Sequence, residues 1–159
     1  MMRTIPASEL IINDDGSIFH LHLRPEQLAD TVILVGDPGR VAMVSGFFDK
    51  KECEVSNREF RTVTGSYKGK RMTVLSTGIS IGNIDISVTE LDALANVNFA
   101  TRQEKPEKRR LTLLRLGTSG ALQPDIKVGD FVFSRTSVGF NGLLHYYKGR
   151  HEVCDFAIE

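Results

Sequence analysis

The chain has 159 residues, 41% of them apolar and 25% charged, with Lys+Arg and Asp+Glu balanced at 20 each. That length suits one domain, 1–159, able to bury about two-thirds of its unfolded surface. The charge balance supplies no global field for nucleic acid or an anionic membrane, and no apolar run nears the roughly 18 residues of a bilayer span.

The N-terminus lacks a signal-peptide pattern, because Glu9, Asn13, Asp14 and Asp15 interrupt the apolar stretch at 10–12. Cys53 and Cys154 form no framework and read as reduced thiols. A cytoplasmic protein is expected.

Residues 1–30 read as an irregular opening segment with an extended piece at 18–23. Thr31-Val32-Ile33-Leu34-Val35 is a continuous apolar, β-branched run ending at glycine, the pattern of a strand buried on both faces. Pro38 suits the first turn of a helix whose apolar face carries Val41, Val44, Phe47 and Phe48. A β-rich stretch follows, with 60–67 and 72–76 flanking Lys68-Gly69-Lys70 as a hairpin. Ile84, Val88, Leu91 and Ala95 recur at helical spacing, with Ser80 or Asn83 as cap. The mixed-sign run 102–110 reads as a solvated connection to a buried strand at 111–116. A further strand is expected at 129–134. Strands alternating with helices predict an α/β fold, a mixed, largely parallel central sheet flanked by helices.

Two segments stand where ligands bind in such sheets, at the carboxyl ends of strands. They are Val35-Gly36-Asp37-Pro38-Gly39-Arg40 and Leu114-Arg115-Leu116-Gly117-Thr118-Ser119-Gly120. Glycines let backbone N–H groups approach an anion, and arginine adds a charged planar fork that matches phosphate oxygens. Neither segment is the GxGxxG dinucleotide fingerprint. Gly65-Ser66-Tyr67-Lys68-Gly69-Lys70-Arg71 has one residue too few for a P-loop and lies in a hairpin. His20 and His22 would share a face of a strand, but no third ligand has metal-site spacing. No GxSxG elbow or catalytic cysteine context is present. Arg58 beside Glu59 reads, on its own chemistry, as a surface ion pair.

Together these stretches resemble the nucleoside phosphorylase superfamily, most closely its uridine phosphorylase branch. The resemblance runs in order through Phe19-His20-Leu21, Gly36-Asp37-Pro38-Gly39-Arg40, Asn57-Arg58-Glu59-Phe60, Ser76-Thr77-Gly78-Ile79, Glu90-Leu91, the 114–124 segment and Val128-Gly129-Asp130. It implies a glycosyltransferase (pentosyltransferase) of nucleoside catabolism and pyrimidine salvage. Such an enzyme converts a nucleoside and inorganic phosphate reversibly to free base and ribose 1-phosphate. By the same resemblance, Gly36, Arg40, Arg115 and Thr118 would bind phosphate. Arg58 would reach a neighbouring subunit's phosphate, and His20 a neighbour's ribose 5′-hydroxyl, which implies a homodimer or hexamer. Glu59 would help hold a monovalent cation such as potassium; no other cofactor is implied. Related nucleosidases, which use water, generally lack the arginine pair.

Two departures accompany the match. After Ile79 the family usually continues with small residues and proline, whereas this chain has Ser80-Ile81-Gly82-Asn83, and Asn83 takes the place of a serine that often binds the cation. Family members also continue beyond the position of Glu159, through base-recognition residues and a Glu-Met-Glu ribose segment that nothing here matches. The expectation is therefore a domain incomplete at its C-terminus, with the phosphate half of a site and an unpaired sheet edge. Alternatives are a catalytically silent phosphate-binding, oligomerising homologue, or a nucleosidase or purine-specific relative.

Overall fold

The computed structural model describes residues 3–153 and divides into two compact units, Met1–Thr118 and Ser119–Glu159. In the first unit, β1 (Thr31–Val35), β2 (Lys50–Asn57), β3 (Phe60–Tyr67), β4 (Lys70–Ser76) and β7 (Thr112–Leu116) form one sheet in the order β2-β3-β4-β1-β7. Parallel pairing of β1 with β4 and β7, and antiparallel pairing of β3 with β2 and β4, leave β3 alone reversed. The sheet is therefore mixed and mostly parallel, as the alternation of strands and helices predicts.

β1 alternates as a doubly covered strand must. Val32 and Leu34 join a core with Leu21, Leu23, Phe60, Leu91 and Leu94, while Val35 packs with Val41, Val63 and Val74 on the opposite face. Helix α1 (Pro38–Ser45) contributes Val41 to that second face; helix α2 (Ile81–Asn96) and the opening segment serve the first. Ser80 caps α2 by accepting from the Asn83 N–H. Lys68 and Gly69 both take positive φ, 48° and 75°, which is the two-residue turn that matches strand twist.

Several expectations change. Residues 18–23 form a tight turn rather than a strand: the His22 N–H donates to Ile18 O, the Ile18 N–H to Leu23 O, and His22 has φ 55°. His20 and His22 consequently share no strand face. Phe47 lies beyond α1 and is 73% exposed, and Val88 is 41% exposed, because α2 turns Ser87, Glu90, Leu91 and Leu94 inward instead. The 102–110 run is partly structural. Short strands β5 (Val97–Asn98) and β6 (Gln103–Glu104) pair, the Arg102 guanidinium donates to Ile5 O and Leu10 O, and Lys105 Nζ donates to Ala95 O. Arg109 ties Asp30 to Leu28 O.

The second unit contains a short helical turn at Leu143–Tyr146 and α3 (Arg150–Val153). No strand forms at 129–134, where Phe131, Val132 and Phe133 are exposed. Alternating apolar residues make a strand only when another strand supplies the ladder, and here none does. Cys53 is a free, half-buried thiol; Cys154 lies outside the described residues. Among the described residues, no helix is long and apolar enough to cross a membrane.

Candidate functional site

The carboxyl ends of β1, β4 and β7 lie side by side, since Val35 is in register with both Ser76 and Leu116. The Thr77 N–H continues the ladder to Val35 O at 2.8 Å. The segments leaving these strands therefore converge: Gly36-Asp37, Gly78 and Gly117-Thr118. A methyl group on Gly36 would sit 3.2 Å from Arg115 Nη2 and 3.9 Å from Gly78 O. Gly36 and Arg115, 79 positions apart in sequence, thus meet as the two segments predict. Arg115 Nη1 donates to Leu116 O at 2.6 Å, which turns the guanidinium across the strand ends.

Arg40 occupies the first turn of α1, half-buried, and Thr118 lies just beyond β7, exposed. The helix N-terminus itself is not an open anion site, because the Asp37 carboxylate caps it by accepting from the Gly39 N–H at 2.7 Å. Charge for an anion must come from arginine. Among the described residues, none of Arg40, Arg58 and Arg115 forms an ion pair with a carboxylate. The surface ion pair read at Arg58-Glu59 does not form.

Arg58 and Glu59 instead make the two-residue loop between β2 and β3, with Arg58 at φ 54°. Glu59 packs against Gly78. A Cβ there would fall 2.9 Å from Glu59 Cγ and 2.8 Å from Asn83 Nδ2, and φ of 67° already favours glycine. The Arg58 guanidinium stands over the Phe19 ring, 5.7 Å from its centroid, within cation–π range. Asn57 Nδ2 donates to His20 O at 2.8 Å and, more weakly, to Phe19 O at 3.4 Å. The hairpin tip and the His20 turn are thus joined.

Beneath that turn lies a residue whose role the sequence reading missed. Glu90 on α2, 8% exposed, accepts from the His20 N–H (3.0 and 3.2 Å) and the Leu21 N–H (2.8 Å), and its Oε1 lies 2.7 Å from His20 Nδ1. The His20 ring is further held edge-on by Phe19 and Phe60. In sequence, Glu90 entered only as part of the Glu90-Leu91 stretch of the family resemblance, with no role assigned to it. His22 is a local structural residue, with Nδ1 3.3 Å from Asn13 Nδ2 and Nε2 3.4 Å from Asp15. Hydrogen bonds from the Ser17 hydroxyl and N–H hold Asp15 below its ordinary value of 3.8. Among the described residues, no three His, Cys, Asp or Glu side chains gather as a metal site.

Comparison with known proteins identifies the family. Residues 30–157 match the phosphorylase superfamily. A uridine phosphorylase from Thermococcus kodakarensis is 31% identical over 147 residues, covering 92% of this chain and 48% of the relative. A DeoD-type purine nucleoside phosphorylase from a Thermoanaerobacter species is 34% identical, covering 78% and 52%. The crystal structure of a Trypanosoma brucei nucleoside phosphorylase, described as showing uridine phosphorylase activity, superposes with a TM-score of 0.69 at 36% identity. That match covers 74% of this chain and 41% of the other. The chain belongs to the phosphorylase superfamily. It spans about half the length of the curated relatives it matches.

Proposed function

We propose that this chain serves nucleoside phosphorolysis, with inorganic phosphate as co-substrate and a pyrimidine nucleoside as the favoured partner. The observation that carries the reading is the approach of Arg115 to Gly36 at the ends of two parallel strands, with no carboxylate among the described residues paired with the guanidinium. Gly36, Arg40, Arg115 and Thr118 bind the phosphate in this reading, and Arg58 adds to the phosphate of a neighbouring copy. His20 meets a neighbour's ribose 5′-hydroxyl. A homodimer is the smallest assembly that satisfies these two contacts, and a hexamer satisfies them as well. Glu59 helps hold a monovalent cation such as potassium in this reading.

The chemistry asks little covalent work of the protein. A phosphate oxygen attacks C1′ as the bond from C1′ to the base nitrogen breaks, and the bonding pair leaves with the base. Positive charge develops on the ribose ring, and a phosphate held in line by arginine stabilises it electrostatically. A general-base-activated protein nucleophile has no part in this. A cytoplasmic setting suits these substrates.

Incubating the purified chain with uridine or inosine, with and without phosphate, tests the reading. Phosphate-dependent release of uracil and ribose 1-phosphate is expected, and faster release from inosine would reassign the base preference. Release of base without phosphate would mean a nucleosidase. Phosphate binding with no turnover would make the chain a silent phosphate-binding, oligomerising homologue.

A further inference from the structure

We infer that Glu90 is a positioning residue that fixes the tautomer of His20, so that Nε2 is the ring atom left to receive a ligand hydroxyl. The inference deepens the ribose contact assigned to His20 under the proposed function and rests on that reading for its consequence, although not for its geometry.

The buried carboxylate meets three donors or donor-capable groups at once. Oε2 accepts from the Leu21 N–H at 2.8 Å, and the His20 N–H lies 3.0 and 3.2 Å from the two oxygens. Both backbone groups can only donate, so the carboxylate is committed as an acceptor. Its remaining approach is to His20 Nδ1, 2.7 Å from Oε1. A carboxylic acid is stronger than an imidazolium, so the proton between them rests on the ring nitrogen. Neutral His20 then carries Nδ1–H and a bare Nε2, an acceptor for an O–H donor. Free imidazole does not choose so firmly between its nitrogens; the protein imposes the choice.

Orientation is fixed along with protonation. Phe19 and Phe60 pack edge-on against the ring at 4.8 and 6.4 Å between centroids, and Asn57 holds the His20 carbonyl. The imidazole enters the ligand contact already set, so little rotamer freedom remains to be lost on binding.

The substitution Glu90→Gln makes a directional test. A glutamine in this slot keeps its one acceptor oxygen beneath the two backbone N–H groups and turns its NH2 toward Nδ1. That forces Nδ1 to accept and moves the ring proton to Nε2. In the 15N-labelled chain, with His20 assigned by its loss in His20→Gln, two-bond proton–nitrogen correlations at a pH where the ring is neutral should show Nδ1–H in the wild type. They should show Nε2–H in Glu90→Gln. A wild-type ring protonated at Nε2 overturns the inference, as does a folded Glu90→Gln protein that keeps the wild-type tautomer. The wild-type spectrum alone decides the matter if the variant does not fold.

The kinetic consequence is read as a ratio. The wild type should have a KM for uridine about tenfold below that for 5′-deoxyuridine, the worth of one good hydrogen bond; a hydroxyl can also accept from an Nε2–H, so the tautomer itself is read from the spectra and not from this ratio in Glu90→Gln. Indifference of the wild type to the 5′-hydroxyl, alongside the Nδ1–H tautomer, would remove the ribose role from the proposed function and leave the hold of Glu90 on His20 standing.

Discussion

The two corners of the first unit are built on opposite principles. At the strand ends, Gly36, Gly78 and Gly117 open space and Arg115 spends one N–H on a neighbouring carbonyl, so positive charge stands unneutralised. At the His20 corner, Glu90 and Asn57 satisfy the turn from beneath and one side, and little is left open except a ring edge. The first arrangement is the one the proposed function assigns to an anion. The second holds a single side chain in place. Removing a residue from the first should therefore change binding, and removing one from the second should change stability.

The sharpest way to break this contrast is Glu90→Ala. It strands two backbone N–H groups and an imidazole N–H without their acceptor, and should cost about 3–5 kcal/mol in denaturant unfolding. A loss under 1 kcal/mol would mean that water replaces the carboxylate and that the corner is not held from within. Next comes Gly78→Ala, at the seam between the corners. The methyl group would strike Glu59 and Asn83 in a backbone conformation unfavourable to alanine, at a cost of about 2 kcal/mol. An unchanged midpoint would show that the seam has room to adjust.

Away from both corners, Thr62 supplies a reference for ordinary packing. Its hydroxyl is buried without a hydrogen-bond partner among the described residues, on the sheet face it shares with Leu75. Thr62→Val should raise stability by about 1 kcal/mol; a loss would place an unseen partner on that oxygen. Arg115→Ala, by contrast, should leave unfolding in the absence of phosphate within about 0.5 kcal/mol of wild type, because its side chain is exposed and, among the described residues, its hydrogen bond goes to the next residue's carbonyl. A large loss would make Arg115 structural and collapse the contrast.

The smallest effect is a pH dependence. Asp15 is held below its ordinary value by Ser17, so the turn gains stability above about pH 4 and loses it as pH falls through the lowered Asp15 value. Asp15→Asn should flatten that acid limb, and a limb of unchanged steepness would assign it to other carboxylates.

The elements legible in the sequence were those whose signal is local. An apolar run ending in glycine announced β1 and β7, and Lys68-Gly69 announced its hairpin; β7, expected to be buried, is exposed along its length because it is the sheet edge beyond β1. Gly36 and Arg115 were legible as partners because Gly36 follows β1 and Arg115 lies near the end of β7, and parallel strands bring their ends together. Signals that depend on a distant neighbour were lost. β2, rich in lysine and glutamate, is a sheet edge whose half-buried face shows Cys53, Val55 and Asn57, and edges favour charge. Phe131 and Phe133 alternate like a strand with nothing to pair with. Glu90 had no readable role until the fold carried the His20 turn over it, 70 residues away in sequence. Likewise Arg102 and Arg109 read as a charged connector, although their guanidiniums satisfy carbonyls of the opening segment.

Calorimetric titration of inorganic phosphate into the wild-type chain and into Arg115→Ala, at one ionic strength set with chloride, tests the central claim most directly. The account predicts saturable binding to the wild type and a loss of about tenfold or more in the variant, the scale of a charge-assisted contact, with the variant still folded. Equal affinity in the two proteins would contradict it and remove the strand-end cluster as the phosphate site.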